Sequence, residues 1–208
     1  MIKYTYLVFL PSLVLCSILC SCSKRSSKYI AETLSHRDRI KSEHLESERS
    51  PLKTKEQLDL LAYFDIDPNA IAQCSVSIND HQKIIEIPTY SGITKAFYVY
   101  GTAHCTMKSE KFTLDLYRSR SQSMMPDALN PLFVPFKDAT NGDETYGGGR
   151  YLDLPVQKIV DGQLLIDFNR SYNPWCAYGD GFNCPIPPKE NHLKFAVLAG
   201  EKNYQGDR

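Results

Sequence analysis

The sequence predicts a mainly β (α+β) protein: N-terminal helices followed by a curled antiparallel β-sheet, sandwich or barrel-like. Three observations predict it. Beyond Pro68 the apolar residues change from a helical spacing to a period of two. Asn141-Gly142 and Asp161-Gly162 each lie between alternating stretches, where hairpin turns with positive φ are expected. Aromatic residues make up 11% of the 208 residues, which favours packed strands and excludes a disordered chain. Charge is balanced, 24 Lys+Arg against 24 Asp+Glu, so no basic excess exists to neutralise phosphates and no nucleic-acid partner is expected.

Residues 1–21 read as a signal peptide. Lys3 opens a short charged region, and a mostly apolar run from Tyr4 to Leu19 follows. That run falls short of the roughly 20 residues needed to span a bilayer. Leu19-Cys20-Ser21-Cys22 comes next, then the polar Ser23-Lys24-Arg25-Ser26-Ser27. This resembles a bacterial lipoprotein signal, in which a Leu three residues before a Cys, with small residues between, directs lipidation and cleavage. The resemblance implies diacylglycerol on the thiol of Cys22, and acyl chains such as palmitate that anchor the mature chain to a membrane. Cys20 fits less well, because Leu19 occupies the position that should be small. An ordinary secretory signal with incidental cysteines is the other reading. Ser23, standing where an acidic residue would retain a lipoprotein at the inner membrane, implies the outer membrane of the bacterial cell envelope.

Residues 22–28 form a basic tether and residues 29–62 a helical spacer packed on or beside the domain. From Tyr29 to about Arg49 the chain is densely charged and free of Gly and Pro, with Ile30, Leu34, Ile40 and Leu45 as a narrow docking stripe. His36 and His44 are expected to be solvated there. Ser50-Pro51 ends the helix. Thr54 with Gln57 makes a capping box for a short helix through Leu61.

The antiparallel β domain spans residues 63–204, leaving 205–208 as a tail. Strands are expected at Ile71–Ile78, Lys83–Ile87, Thr94–Ala103 and Lys111–Arg118, followed by a polar loop over Ser119–Pro131. Leu132–Asp138 and Thr145–Leu154 flank Asn141-Gly142, while Gln157–Val160 and Gln163–Asn169 flank Asp161-Gly162. The last strand is expected at His192–Ala199.

Seven cysteines bear on the compartment. Cys16 and Cys20 leave with the signal and Cys22 is acylated, so Cys74, Cys105, Cys176 and Cys184 remain, with three pairings open to them. Cys176 and Cys184 enclose Gly179-Asp180-Gly181, a tight turn, and form a candidate disulfide. Zinc is the rival reading, with Cys105, His104 or His192 as further ligands, but the seven-residue gap is long for a zinc knuckle. No metal is assigned. A Cys–His catalytic pair drawn from the same residues is a weaker alternative.

Polar side chains gather between residues 138 and 201. Arg150 shares strand parity with Leu152 and Leu154, so it should point inward and needs a carboxylate or a ligand anion; Asp138, Asp167 and Glu201 are the candidate partners. Asp167 and Asn169 fall on one strand face, with Tyr172 and Asn173 following. With Thr140, Tyr146 and Asn191 these residues make a candidate cluster for ligand binding or for cohesion. Trp175 is expected to pack rather than to line a pocket. The chain contains no G-x-S-x-G, H-E-x-x-H, EF-hand or dinucleotide fingerprint, so neither a cofactor nor a catalytic motif is assigned.

The blocks TYGGGRYLDL, IDFNRSYNPWCAY, CPIPPKENHLKFAV and AGEK, in that order and spacing, resemble the family catalogued as domain of unknown function 1684. The resemblance covers about residues 29–204. It implies a β-rich envelope or cytosolic module and assigns no biochemical role. The expected function is a non-catalytic ligand-binding or scaffolding module of the envelope, its membrane contact made through the N-terminal lipid and its small-molecule or protein partner unnamed. The alternative is an envelope hydrolase-like enzyme using Arg150 and Asp167.

Overall fold

The computed structural model describes residues 12–81 and 83–207, with side chains from Ser26 onward except that of Ala128. Residues 1–11 of the expected signal peptide and the thiol of Cys22 lie outside what is described.

Helix α1 (Ser12–Glu46) runs unbroken through residues 22–28, which the sequence reading sets apart as a tether. Among the described residues no helix is long and apolar enough to cross a membrane. α1 meets the β domain along Tyr29, Thr33, Arg37 and His44, whose spacing places them on one helical face. Of the expected stripe, Ile40 is half-buried and lines a cavity against the domain, whereas Ile30, Leu34 and Leu45 point away from it, 37%, 48% and 42% exposed. The surface opposite explains the difference, because it offers hydrogen-bonding groups. The Tyr29 hydroxyl donates to Asp167 at 2.9 Å, and Arg37 donates to the Phe64 carbonyl at 3.1 Å while lying over the Tyr63 ring. His44, expected to be solvated, is buried against Ser50 at 2.7 Å and meets the edge of Tyr178. Helix α2 (Lys55–Asp59) is held by the Thr54/Gln57 capping box and buries Leu58.

The body is one curled antiparallel sheet. Its strands are β1 (Ile71–Ile78), β2 (Ile84–Pro88), β3 (Thr94–Met107), β4 (Glu110–Ser119), β5 (Leu132–Phe136), β6 (Arg150–Leu154) and β7 (Gln163–Asp167), in the order β6-β5-β4-β3-β1-β7 with β2 on the free half of β3. Alternate residues of each strand face a common core: Ala72 and Cys74, Ala103 and Cys105, Leu114 and Leu116, Val134 and Phe136, Leu152, Leu164 and Ile166. Each large apolar side chain buried there contributes roughly 1.5–3 kcal/mol. A disulfide between Cys74 and Cys105, directly opposed on the neighbouring strands β1 and β3, lies on the core face of the sheet.

A β-bulge on β3 decides which face carries the second cluster. Val99 pairs with Tyr117 and Gly101 with Leu116, so Tyr100 is the extra residue. The insertion reverses parity along β3. Ala103 and Cys105 face the core, whereas Phe97 and Val99 face the other side, where they join Ile87, Tyr117 and Phe133.

Three expected elements differ. His192–Ala199 is not a strand, although Leu193, Val197 and Ala199 alternate inward; its backbone bonds largely with side chains and short bridges, as described below. Gln157–Val160 is a single 3₁₀ turn over Val156–Lys158 that follows Pro155. The strand expected from Thr145 starts only at Arg150, because Gly149 adopts φ +93° and a Cβ there would come within 2.7 Å of the Phe136 carbonyl oxygen. Hence Asn141-Gly142 lies in a long connection between β5 and β6 rather than at a two-residue turn, and only Gly142 of the pair has positive φ. Asp161-Gly162, by contrast, is a tight turn with both residues at positive φ, closed by paired bonds between Val160 and Gln163.

Candidate functional site

Arg150 opens β6 on its core face and is fully buried. Its guanidinium donates to Asp138 at 2.8 Å and to the backbone carbonyls of Val197, Ala199 and Glu201. Asp138 in turn accepts from the Thr140 backbone and hydroxyl and from the Val197 amide. The Arg150–Asp138 pair therefore takes the place of a neighbouring strand for the segment 197–201, satisfying in side-chain form the bonds a ladder would make. Substrate cannot reach this arginine.

The rest of the candidate cluster, Tyr172 apart, divides into four further sets. Glu201 accepts from the Asn173 amide and side chain and from the Tyr178 hydroxyl, at 3.0, 3.0 and 2.6 Å. Burial pushes its carboxyl up to about 7 against those donated bonds. Asn191 ties β4 to β5 through Asp115 and the Pro135 carbonyl. Asn169 is not on a strand face beside Asp167; it sits in a 3₁₀ turn capped by Asp167, where its side chain holds Asp67 and the Tyr29 hydroxyl. Asp167 pairs with Arg170 and Tyr29, not with Arg150. Tyr146 packs edge-on against Tyr90. Arg150 and Asp167 thus belong to different networks, and the structure does not assemble the reaction centre that the alternative reading requires.

An open concavity lies on the opposite face of the sheet. A cleft of about 1130 Å³ runs between the outward residues of β3–β6 and the loop 174–185. Its floor is a row of rings. Phe97 stacks on Phe133 at 5.4 Å, Phe133 meets Tyr151 edge-on at 4.8 Å, and Tyr151 meets Tyr172 edge-on at 5.9 Å. Tyr151 and Asp153 are the outward pair of β6, between the buried Arg150, Leu152 and Leu154. The Tyr172 hydroxyl donates to Asp153 at 2.6 Å. Asp153 keeps solvent contact yet is surrounded by protein, and this crowding raises its carboxyl above the ordinary range.

The roof is Trp175 packed on the edge of Phe182. A Cys176–Cys184 disulfide closes the loop that carries them. The far end of the loop is pinned to the sheet by the Thr89–Pro185 bridge and by the Tyr151 hydroxyl, which donates to the Pro185 carbonyl. Arg49, Lys95 and Arg120 line the rim. Among the described residues no set of His, Cys, Asp or Glu side chains is placed to hold a metal ion.

Sequence reasoning nominated Tyr172 from this cleft and passed over Phe97, Phe133, Tyr151 and Asp153. It expected Trp175 to pack, whereas Trp175 both packs on Phe182 and lines the cavity. One signal was available: once Arg150 is inward, Tyr151 and Asp153 must share the outer face.

A profile of the family described as "Protein of unknown function (DUF1684)" matches residues 56–202. The chain is also similar to an uncharacterised protein of Haloarcula marismortui solved by solution NMR, with 31% identity, a TM-score of 0.65, and coverage of 86% of this chain and 96% of that one. No curated protein matches.

Proposed function

The chain belongs to the DUF1684 family of proteins of unknown function, and from that premise we propose that it is a non-catalytic ligand-binding module held at the bacterial envelope by a lipid on Cys22. One observation carries the binding reading. The candidate polar residues are mostly taken up inside the fold, while the cleft of about 1130 Å³ is floored and roofed by rings and rimmed by cations; a second cavity of about 770 Å³ beside α1 is lined by Asp167, Arg170 and Tyr172, which are paired within the fold. The lining of the larger cleft contains no histidine, and its single carboxylate, Asp153, is engaged by Tyr172. Such a site fits capture better than turnover.

The envelope reading is supported by the Leu19–Cys22 segment and by two disulfides, which persist in oxidising compartments. Ser23, standing in place of an acidic residue, supports the outer membrane.

The chain has a single tryptophan, Trp175, and it lines the cleft, so its emission reports occupancy. Protein released gently from membranes should carry a stoichiometric small-molecule adduct in native mass spectrometry, and stripping the adduct should shift Trp175 emission. A bare chain whose emission is unchanged by the same treatment contradicts the reading.

A further inference from the structure

The cleft is polarised along its length. Phe97 pairs with Ser119 across β3 and β4, so Lys95 and Arg120, two residues before one and one residue after the other, flank the same end of the ring row. Arg49 reaches that end from the segment after α1. All three side chains are exposed, and among the described residues none has a carboxylate within ion-pair distance. Crowding and the charge of Arg49 both pull the Lys95 amine below its ordinary pKa, as expected when cations are gathered without a counter-charge.

A concave wall lined by one sign of charge concentrates the field and raises the local concentration of the opposite ion. Two guanidinium forks and an ammonium supply more donors than a carboxylate can accept, and they match the three oxygens of a phosphate monoester. The rings beyond them present apolar faces suited to a flat or aliphatic body. Asp153, at the other end of the row, disfavours a second anion there. The ligand is therefore amphiphilic, with one charged head.

We propose that the cleft binds an amphiphilic phosphate ester, its head group held by Arg49, Lys95 and Arg120 and its apolar body laid along Phe97, Phe133 and Tyr151 under Trp175. This assignment rests on the cleft being a binding site, as argued above. The phosphate can belong to a soluble ester or to a membrane lipid.

Trp175 emission, followed during titration of the protein, tests it with three probes: 1-naphthyl phosphate, neutral 1-naphthol and inorganic phosphate. The expected result is saturable quenching by 1-naphthyl phosphate, with affinity at least about tenfold above either other probe. That affinity should fall with added salt and about tenfold again in Lys95→Ser/Arg120→Ser, whose side chains make no hydrogen bond among the described residues. Equal affinity for 1-naphthol and 1-naphthyl phosphate overturns the phosphate assignment and leaves the cleft as an apolar binding site. No saturable response to any probe overturns both. A second arm uses vesicles of phosphatidylcholine with and without phosphatidic acid. A shift of Trp175 emission that requires phosphatidic acid assigns the head group to a lipid, and its absence beside tight 1-naphthyl phosphate binding assigns it to a soluble ester.

Discussion

Arg150 and Asp138 form an ion pair at 2.8 Å in which neither side chain touches solvent. The pair is a structural splice: Arg150 joins the edge of β6 to the carbonyls of Val197, Ala199 and Glu201, and Asp138 receives the Val197 amide from the same segment. Breaking a buried pair by removing one partner costs about 3–5 kcal/mol, because the other charge is left uncompensated. Arg150→Met and Asp138→Asn should each lower the unfolding free energy by about that amount in urea titrations. The double variant Arg150→Met/Asp138→Leu should not recover it, since three backbone carbonyls would still lack donors. Full recovery would mean that the segment 197–201 does not depend on this arginine.

Glu201 sets a pH dependence of definite sign. Its folded carboxyl is raised from the ordinary 4.5 to about 7, so the folded state holds the proton more tightly. Stability from this group is complete below about 4.5 and is lost as pH rises through about 7, by up to about 3 kcal/mol. Glu201→Gln should flatten the decline between pH 5 and 8 in unfolding free energies measured by chemical denaturation.

The helix–domain contact has the opposite dependence. Burial, Arg170 and Arg39 hold His36 down at about 4, and burial also lowers His44. The contribution of His36 is present above pH 6.5 and is lost as pH falls toward 4, and that of His44 is lost in the same direction. Amide exchange in α1 around residues 33–44 should therefore accelerate on acidification while the β3–β4 amides stay protected. Equal acceleration in both would show that the helix does not open separately.

Docking of α1 through polar groups makes a counter-intuitive contrast. Tyr29→Phe removes the bonds to Asp167 and Asn169 and should destabilise by about 1 kcal/mol. Leu34→Ala, on the exposed stripe, should stay within about 0.5 kcal/mol of the parent. Thermal unfolding of the two variants decides between this face and the apolar stripe.

The two disulfides should separate stability from binding. By loop length, the Cys74–Cys105 link, 31 residues apart, contributes more than the Cys176–Cys184 link, 8 apart: about 3–4 against about 2–3 kcal/mol in the chain-entropy description. Cys176→Ser/Cys184→Ser loosens the cleft roof and should weaken 1-naphthyl phosphate binding more than Cys74→Ala/Cys105→Ala does, once both are compared under conditions where each is folded.

Most of the sheet was legible because alternation specifies which side of a strand is buried, as at Leu114 and Leu116 on β4 or Leu152 and Leu154 on β6. Arg150 as an inward residue needing a carboxylate was legible for the same reason. His192–Ala199 misled because extended backbone with inward Val197 and Ala199 looks like a strand whether its partners are backbone groups or the Arg150 and Asp138 side chains. The helix face was hidden by the opposite cause: Tyr29 and Arg37 dock by hydrogen bonding and His44 by ring contacts with Trp175 and Tyr178, and a search for apolar spacing finds Ile30 and Leu34 instead. The cleft as a whole was not legible, although Tyr172 was singled out and the parity of Arg150 places Tyr151 and Asp153 on the outer face. It depends on the parity reversal at Tyr100, which turns Phe97 away from the core, and on rings brought together from β3, β5, β6 and the loop after β7.

The most direct test of the division between structural cluster and binding cleft is amide and indole chemical-shift mapping on the ¹⁵N-labelled protein titrated with 1-naphthyl phosphate. The expected perturbations fall on the Trp175 indole and on the amides of Lys95, Phe97, Arg120, Phe133 and Tyr151, with Thr140, Asn173 and Glu201 unmoved. Shifts concentrated at Thr140, Asn173 and Glu201, with the Trp175 indole unmoved, would contradict it.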